Sequence, residues 1–217
     1  EKRCGTMITM ALRLTGQRCL VIGGGAVAER RIALFLEEGA KVTVVSPEVT
    51  DAIAAWAKSG QLVWYKQKYD ESVDLGVDFV LLATSDSELN AKCAQKARDL
   101  GALVNRADDR SDCDFTFPAT VVVGDLEFAI FTGRVSPRLS RLIKKDLANR
   151  YEAVAEMLPA LRAMRKTVRE LLATPAEREE FWQKYLGQEE LIKIIEGDWK
   201  CVEDILSDEI NRIRSKS

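Results

Sequence analysis

Between Arg18 and Asn105, short apolar runs alternate with amphipathic segments. The apolar runs predict β-strands, because they are brief, rich in β-branched residues and bounded by polar or glycine positions. They are Arg18–Gly23, Lys41–Ser46, Leu62–Gln67, Phe79–Thr84 and Ala102–Ala107. Helical periodicity between them predicts helices over Ala26–Glu38, Thr50–Ser59 and Ser87–Leu100. Strands of this kind, separated by amphipathic helices, are typical of an α/β fold whose parallel sheet has helices on both faces.

A glycine-rich turn joins the first predicted strand to the first predicted helix. It matches the pattern GxGxxG/A and consists of Gly23, Gly24, Gly25, Ala26, Val27 and Ala28. Glycines let the backbone approach a pyrophosphate, and the helix directs its positive N-terminal end at the phosphates. The motif is weak alone, but here it follows a strand, opens a helix and precedes a second strand at the expected distance. We therefore predict a Rossmann-like domain that binds a dinucleotide; the alternative is a tight turn without a ligand.

The end of the second predicted strand bears on the choice between NAD and NADP. An NAD site usually has an acid there that binds the ribose, whereas this chain has Ser46, followed by Pro47 and Glu48. Serine can hydrogen-bond a ribose hydroxyl, and Glu48 could reach it if the loop folds back. Because no arginine is near in sequence to neutralise a 2′-phosphate, the sequence favours NAD.

Thr84 and Ser85 follow the fourth predicted strand, at the carboxyl edge where open parallel sheets bind ligands. We expect both residues in the cofactor site. Ser85 or Ser87 also suits the N-cap of the helix that follows, and the two roles are compatible.

The pattern changes after Asp108. The segment Phe115–Gly133 predicts two strands joined by a turn at Gly124-Asp125. Ser136 then suits the N-cap of a helix, and Pro137 suits its first position. From residue 151 onward only helical periodicity is present, with a restart at residues 174–175 and a break at residues 197–198.

Composition excludes several classes of protein and site. The chain has 217 residues, 47% hydrophobic and 30% charged, and a net charge of −2, so we expect a globular protein without a nucleic-acid partner. It has no histidine, which excludes Ser-His triads and His-bearing zinc sites. The apolar run Met7–Leu14 is too short to span a bilayer, so we expect no membrane partner.

The cysteines are scattered and show no metal-ligand spacing, so we predict no resident metal site. They are Cys4, Cys19, Cys93, Cys113 and Cys201. We expect them to be reduced, in a cytoplasmic protein.

Five segments carry a family resemblance. They are "GQRCLVIGGGAVAERR", "VTVVSPE", "FVLLATSDSELN", "ALVNRADDRSDCDFTFPA" and "FAIFTGRVSPRLSRLIKKDL". Together they resemble the precorrin-2 dehydrogenase family, which includes the N-terminal half of bacterial siroheme synthase and the fungal dehydrogenase-chelatase. The resemblance covers about residues 15–150 in the family's order. The helical tail resembles the family in length and character only.

The resemblance implies NAD-dependent oxidation of precorrin-2, a tetrapyrrole, to sirohydrochlorin in siroheme or cobalamin synthesis. It also implies a homodimer formed through the middle of the chain, and in some members the insertion of iron or cobalt. The serine that is phosphorylated in the bacterial synthase aligns with Thr132, and the chain reads Gly133-Arg134-Val135 where the family often has two glycines. We expect an NAD-binding domain over residues 1–112, a dimerisation and substrate domain over 113–150, and a helical domain over 151–217.

Asp108 is the candidate catalytic residue, because the family's key aspartate falls in the "NxxDD" segment. It follows the fifth predicted strand, at the same carboxyl edge as Gly23 and Thr84. Dehydrogenation removes a hydride, which NAD accepts, and a proton, which a carboxylate or solvent must accept. With no histidine in the chain, Asp108 is a general base or a positioning residue. Asp109, Asp112 and Asp114 make a solvated acidic loop the alternative.

A tetrapyrrole that carries several carboxylates needs cations to bind it. Arg138, Arg141 and Lys145 lie along one face of the helix that Ser136 caps. The next helix repeats the spacing with Arg162, Arg165, Lys166 and Arg169. We predict that the first set binds substrate; the alternative for both sets is a solvated basic face.

The leading hypothesis is therefore an NAD-dependent precorrin-2 dehydrogenase, with metal insertion open as a second activity. The alternative is a regulatory module that senses NAD(H) without turnover. The basic helix after Ser136 favours the enzyme, because a sensor would not need it.

Overall fold

The computed structural model describes residues 8–70, 72–133 and 135–215. It divides into two compact units, Glu1–Phe117 and Pro118–Ser217. Cys4, Met7 and Arg134, named above, lie outside the described residues. The division into three functional domains stays a prediction.

The first unit contains a five-stranded sheet in the order β3-β2-β1-β4-β5. Every neighbouring pair of strands is parallel. The strands are β1 Arg18–Ile22, β2 Lys41–Val45, β3 Leu62–Tyr65, β4 Phe79–Leu82 and β5 Leu103–Arg106. The strand order reverses between β1 and β4, so the crevice for a ligand lies at the carboxyl ends of these two strands. The predicted Rossmann-like α/β fold is confirmed.

Three helices cover this sheet: α1 Ala26–Glu37, α2 Asp51–Lys58 and α3 Ser87–Asp99. Alternate residues of β1 enter two separate cores because successive side chains point to opposite faces. Val21 packs with Ile32 and Phe35 of α1, whereas Ile22 packs in the other core with Cys93 of α3. The sheet is therefore buried on both faces, which fixes the glycine turn at its carboxyl edge.

The second unit begins with a two-stranded antiparallel sheet, β6 Ala119–Val123 and β7 Leu126–Ile130. Helix α4 spans Pro137–Arg150, and the Ser136 hydroxyl caps it by accepting a bond from the Leu139 amide. Both the hairpin and this cap agree with the sequence prediction.

A helical bundle completes the second unit. Its helices are α5 Glu152–Leu171, α6 Pro175–Tyr185, α7 Gln188–Ile195 and α8 Trp199–Arg214. Met157, Val168 and Leu206 are among the fully buried residues of its core. Thr174 forms a capping box with Glu177 at the start of α6. The break at Gly187 between α6 and α7 was not predicted, because apolar periodicity continues across it.

Within the described ranges, no helix is long and apolar enough to cross a membrane. The same residues contain no group of acidic or cysteine side chains arranged to hold a metal ion.

Candidate active site

The three glycines after β1 have different surroundings. Gly23 adopts a φ of 111°, and a Cβ added to it would lie 2.5 Å from the carbonyl oxygen of Ala83. A Cβ on Gly24 would collide with the carbonyl oxygen of Glu48. A Cβ on Gly25 would meet nothing within 4 Å. Gly23 and Gly24 therefore let neighbouring loops close on the turn, and Gly25 alone borders open space.

The open space lies at the N-terminus of α1. Gly25 is the N-cap and supplies no side-chain cap, so the first amides of the helix remain available to a ligand. Gly25, Ala26 and Val27 are exposed, whereas Ala28 is completely buried. This arrangement can bind an anionic group such as a pyrophosphate. Gly23 stays a predicted cofactor residue; a side chain there would collide with the backbone of Ala83, just after β4.

Hydrogen bonds made by Ser46 stabilise the loop after β2. Ser46 is 7% exposed, and its hydroxyl donates to the Glu48 carbonyl oxygen at 2.6 Å. The Trp64 indole donates to the Ser46 carbonyl oxygen at 2.9 Å. The Ser46 hydroxyl can therefore only accept a hydrogen bond from a ribose. Pro47 and Glu48 are exposed beside it.

The loop after β4 is organised by Thr84. Its hydroxyl donates to the Asn90 side-chain oxygen at 2.8 Å, and the Asn90 amide donates back to the Thr84 carbonyl. Ser85 is exposed. The N-cap of α3 is Asp86, whose carboxylate accepts from the Leu89 amide at 2.9 Å. The predicted cap at Ser85 or Ser87 is therefore wrong, because the carboxylate of Asp86 already accepts the hydrogen bond from the Leu89 amide.

Asp108 follows β5 and pairs with Arg106, which was not predicted as a site residue. Arg106 is 5% exposed and places its Nη2 2.7 Å from Asp108 Oδ2. The Ser87 hydroxyl donates to the same oxygen at 2.6 Å. Arg106 Nη1 lies 2.7 Å from a carboxylate oxygen of Asp112. Asp108 is thus held from two sides at the carboxyl edge of the sheet.

The remaining acids of this segment are also engaged. Arg98 on α3 bonds the carboxylates of Asp112, at 2.7 Å, and Asp114, at 3.0 Å. Asp109 accepts from the backbone and hydroxyl of Ser111. Asp108 and Asp112 share the nearly buried guanidinium of Arg106, so both carboxylates are ion-paired.

These contacts set the protonation of Asp108. Hydrogen bonds from Arg106 and then Ser87 hold the pKa of the Asp108 carboxyl well below its usual range, against the opposing effect of partial burial. Hydrogen bonds to Asp108 and then Asp112 raise the pKa of the Arg106 guanidinium, against the opposing effect of burial. Asp108 is therefore a fixed anion near neutral pH and a weak base. One signal for Arg106 was available in the sequence: it is the cation in an otherwise uncharged strand, next to an acidic segment.

The basic face of α4 is in the second unit. Arg138, Arg141 and Lys145 are all exposed. Across the part of the chain that the structure describes, none of the three has a carboxylate at ion-pair distance, although Arg141 donates weakly to the Pro137 carbonyl. Thr132 lies beside this helix, and its hydroxyl is 2.9 Å from that of Ser140. The face is available to an anionic ligand.

The chain is similar to an NAD(P)-binding family, to precorrin-2 dehydrogenases and to siroheme synthases. Residues 10–119 match the family described as "Putative NAD(P)-binding". The chain is 41% identical over 146 residues to the precorrin-2 dehydrogenase of Priestia megaterium, covering 67% of this chain and 72% of that protein. It is 33% identical over 176 residues to the siroheme synthase of Nitrosococcus oceani, covering 81% of this chain but only 38% of that protein. The solved structure of SirC, a precorrin-2 dehydrogenase, has a TM-score of 0.75 at 32% identity and covers 95% of this chain and 100% of that one.

Proposed function

The chain belongs to the precorrin-2 dehydrogenase family, and we propose that it oxidises precorrin-2 to sirohydrochlorin with NAD in siroheme synthesis. One structural observation carries the proposal. The open glycine turn after β1 and the fixed carboxylate of Asp108 after β5 lie at the same carboxyl edge of one parallel sheet. NAD bound at the glycine turn, which accepts the hydride, and the Asp108 carboxylate, which contacts the substrate, would then lie at one edge of the sheet.

The residues at the switch point fit NAD. The amides that begin α1, at Gly25, Ala26 and Val27, would hold the pyrophosphate, and the exposed loop at Pro47 and Glu48 would border the ribose. NAD supplies the acceptor for the hydride. Thr84 shapes the loop on the other side of the crevice through Asn90.

Asp108 acts on the substrate as a positioned anion. Arg106 and Ser87 fix both of its oxygens, and each carboxylate oxygen keeps lone-pair capacity for a donor of the macrocycle. Because its basicity is low, the proton released in the oxidation goes to solvent. Arg138, Arg141 and Lys145 would bind carboxylates of the tetrapyrrole.

An absorption assay tests this function. Precorrin-2 and NAD should give sirohydrochlorin and NADH in equal amounts, with one proton released for each. NAD binding without either product would instead support a regulatory module that senses NAD(H).

Gly25→Val should raise the Kd for NAD at least about a hundredfold, because a branched side chain there fills the space that the pyrophosphate needs. Calorimetric titration measures the effect, and circular dichroism should remain native, since nothing lies within 4 Å of the added Cβ. Gly23→Val and Gly24→Val serve as comparisons and should lose stability, because their side chains meet backbone. Undiminished NAD affinity in folded Gly25→Val would remove the glycine turn from the cofactor site.

We also propose a homodimer formed through β6, β7 and α4. Val122 is 69% exposed and Phe131 is 54% exposed, and Leu142 on α4 is exposed as well. These exposed apolar side chains beside a sheet of two strands support a contact with a second copy of the chain.

Light scattering should give twice the chain mass of 24.2 kDa at micromolar concentration. The double variant Val122→Glu and Phe131→Glu should give the single-chain mass, because each substitution places a charge in the proposed contact. Ile192→Glu, at an exposed apolar position on α7, is the matched control and should leave the dimer intact. A parental protein of single-chain mass would contradict the proposal.

The cysteines support a cytoplasmic location, which we also propose. Cys19, Cys93, Cys113 and Cys201 are free thiols, and the first three are buried. Burial raises the pKa of the Cys19 thiol far above its usual range, so it is an unreactive part of the core.

A further inference from the structure

A cleft of about 550 Å³ lies between α5 and α6 in the helical bundle. Leu158 and Leu161 of α5 form part of its lining, and Trp182 and Leu186 of α6 contribute more of its apolar surface. Trp182 is half-buried and rests edge-on against Phe181, which is a core residue. The cleft therefore has a fixed aromatic and aliphatic surface of the kind that binds small molecules.

Cations line the same cleft. Arg165 and Arg169 come from α5, and Arg178 comes from α6. Arg178 donates to the backbone carbonyls of Leu172 and Ala173, at 2.9 and 3.2 Å, which orients the guanidinium without neutralising it. For the described part of the chain, no carboxylate lies within ion-pair distance of Arg165 or Arg169.

The local charge balance favours an anion. Arg162, at the edge of the cleft, is neutralised by Asp125 at 2.7 Å. Glu179 is the acidic side chain among the residues that line the cleft, and it accepts a bond from Gln183. Among the residues that line the cleft, three cations thus face one carboxylate, and this excess of positive charge attracts an anionic group.

We propose that this cleft binds a planar ring system that carries several carboxylates, and that its ligand is the tetrapyrrole of the reaction proposed above, on which this assignment of the ligand rests. Guanidinium groups bind carboxylates through paired hydrogen bonds, and an indole face or edge packs against a conjugated ring. The cleft is a second tetrapyrrole site besides the one assigned to Asp108 and the basic face of α4: here Arg165, Arg169 and Arg178 hold the acid groups, and Trp182 contacts the ring. The basic face of α5 is then a binding surface and not only a solvated one.

Uroporphyrin, a stable porphyrin with carboxylates on every pyrrole ring, is the probe. Its binding to the full chain should quench tryptophan fluorescence, and Trp182→Phe should remove most of that quenching. The double variant Arg165→Ala and Arg169→Ala should raise the Kd at least about tenfold, because two charge-assisted contacts are lost. Added salt should weaken binding to the parental protein more than to this variant.

A matched double variant controls for the loss of two positive charges. Lys200→Ala and Arg212→Ala lie on α8, where each cation pairs with a glutamate, so uroporphyrin binding should stay within about twofold of the parental value. A Kd that does not respond to the loss of Arg165 and Arg169 would overturn the site. NADH titrated into Gly25→Val protein tests a nucleotide ligand, and quenching that depends on the two arginines would overturn the assignment to a tetrapyrrole.

The outcome is separable from that of the dehydrogenase assay, because uroporphyrin binding needs no turnover. If uroporphyrin binds through Arg165 and Arg169 but precorrin-2 is not oxidised, the proposed function fails and the site remains. If precorrin-2 is oxidised and the Kd for uroporphyrin is unchanged by the loss of Arg165 and Arg169, only the proposed tetrapyrrole site in the cleft fails.

Discussion

Arg106→Met should lower the free energy of unfolding at pH 7 by about 3 kcal/mol, the scale for removing one partner of a buried ion pair. The guanidinium is 6% exposed and bonds two carboxylates, at Asp108 and Asp112, each at 2.7 Å. Its loss leaves two negative charges close together without a shared cation. Urea denaturation followed by circular dichroism measures the change.

Two comparison variants locate the cause. Arg106→Lys keeps the charge but cannot bond both carboxylates through a planar fork, so it should recover only part of the stability. Arg98→Met removes a more exposed guanidinium, at 26%, from Asp112 and Asp114 and should cost less. An equal decrease in the free energy of unfolding in Arg98→Met and Arg106→Met would mean that burial of Arg106 does not strengthen its ion pairs.

The pH dependence of this loss has a definite sign. The pKa of Asp108 is lowered in the folded protein, so its contribution is complete above the unfolded pKa of about 3.9 and is lost as pH falls toward the folded value. Arg106→Met has already lost that contribution at neutral pH. The difference between parental and variant unfolding free energies should therefore be smaller at about pH 3 than at about pH 7. A constant difference would show that Asp108 is not the partner that Arg106 stabilises.

The sheet and its glycine turn could be predicted because their signals are local. The predicted strand Arg18–Gly23 and the observed strand Arg18–Ile22 differ by one residue at one end. The start of α4 could likewise be predicted, because Ser136 is a preferred N-cap and Pro137 a preferred first helical residue. Both preferences are local and depend on no distant part of the chain.

The distribution of roles within the site could not be predicted, since it depends on contacts between distant segments. Gly24 is constrained by the backbone of residues 48 and 49, and Gly23 by that of Ala83. Arg106 is joined to Ser87 on another element, 19 residues earlier in the chain. Sequence pattern identifies Asp108 as a residue at the sheet edge, but only the fold shows that its carboxylate is already engaged.

Asp108→Ala should lower kcat by about 10²-fold, the scale expected when a group that acts on the reacting substrate is removed. NAD affinity should hardly change, because the glycine turn carries that contact. The variant also removes the main partner of Arg106, so its stability must be measured beside its rate. Asp109→Ala is the matched control: the Asp109 carboxylate accepts hydrogen bonds within its own turn, from the amide and hydroxyl of Ser111, and the parental rate should be kept.

Asp108→Asn separates positioning from proton transfer. Its amide oxygen can still accept from Arg106 or Ser87, so a positioning role predicts a rate well above that of the alanine variant. A general base with so low a pKa would also be ionised throughout the assay range, and the parental kcat/KM should show no acid limb from Asp108 above about pH 4. An asparagine variant as slow as alanine, with an acid limb in the parental profile that the variant lacks, would make Asp108 the proton acceptor. Parental rates in both variants would leave it a loop residue whose only task is to pair with Arg106.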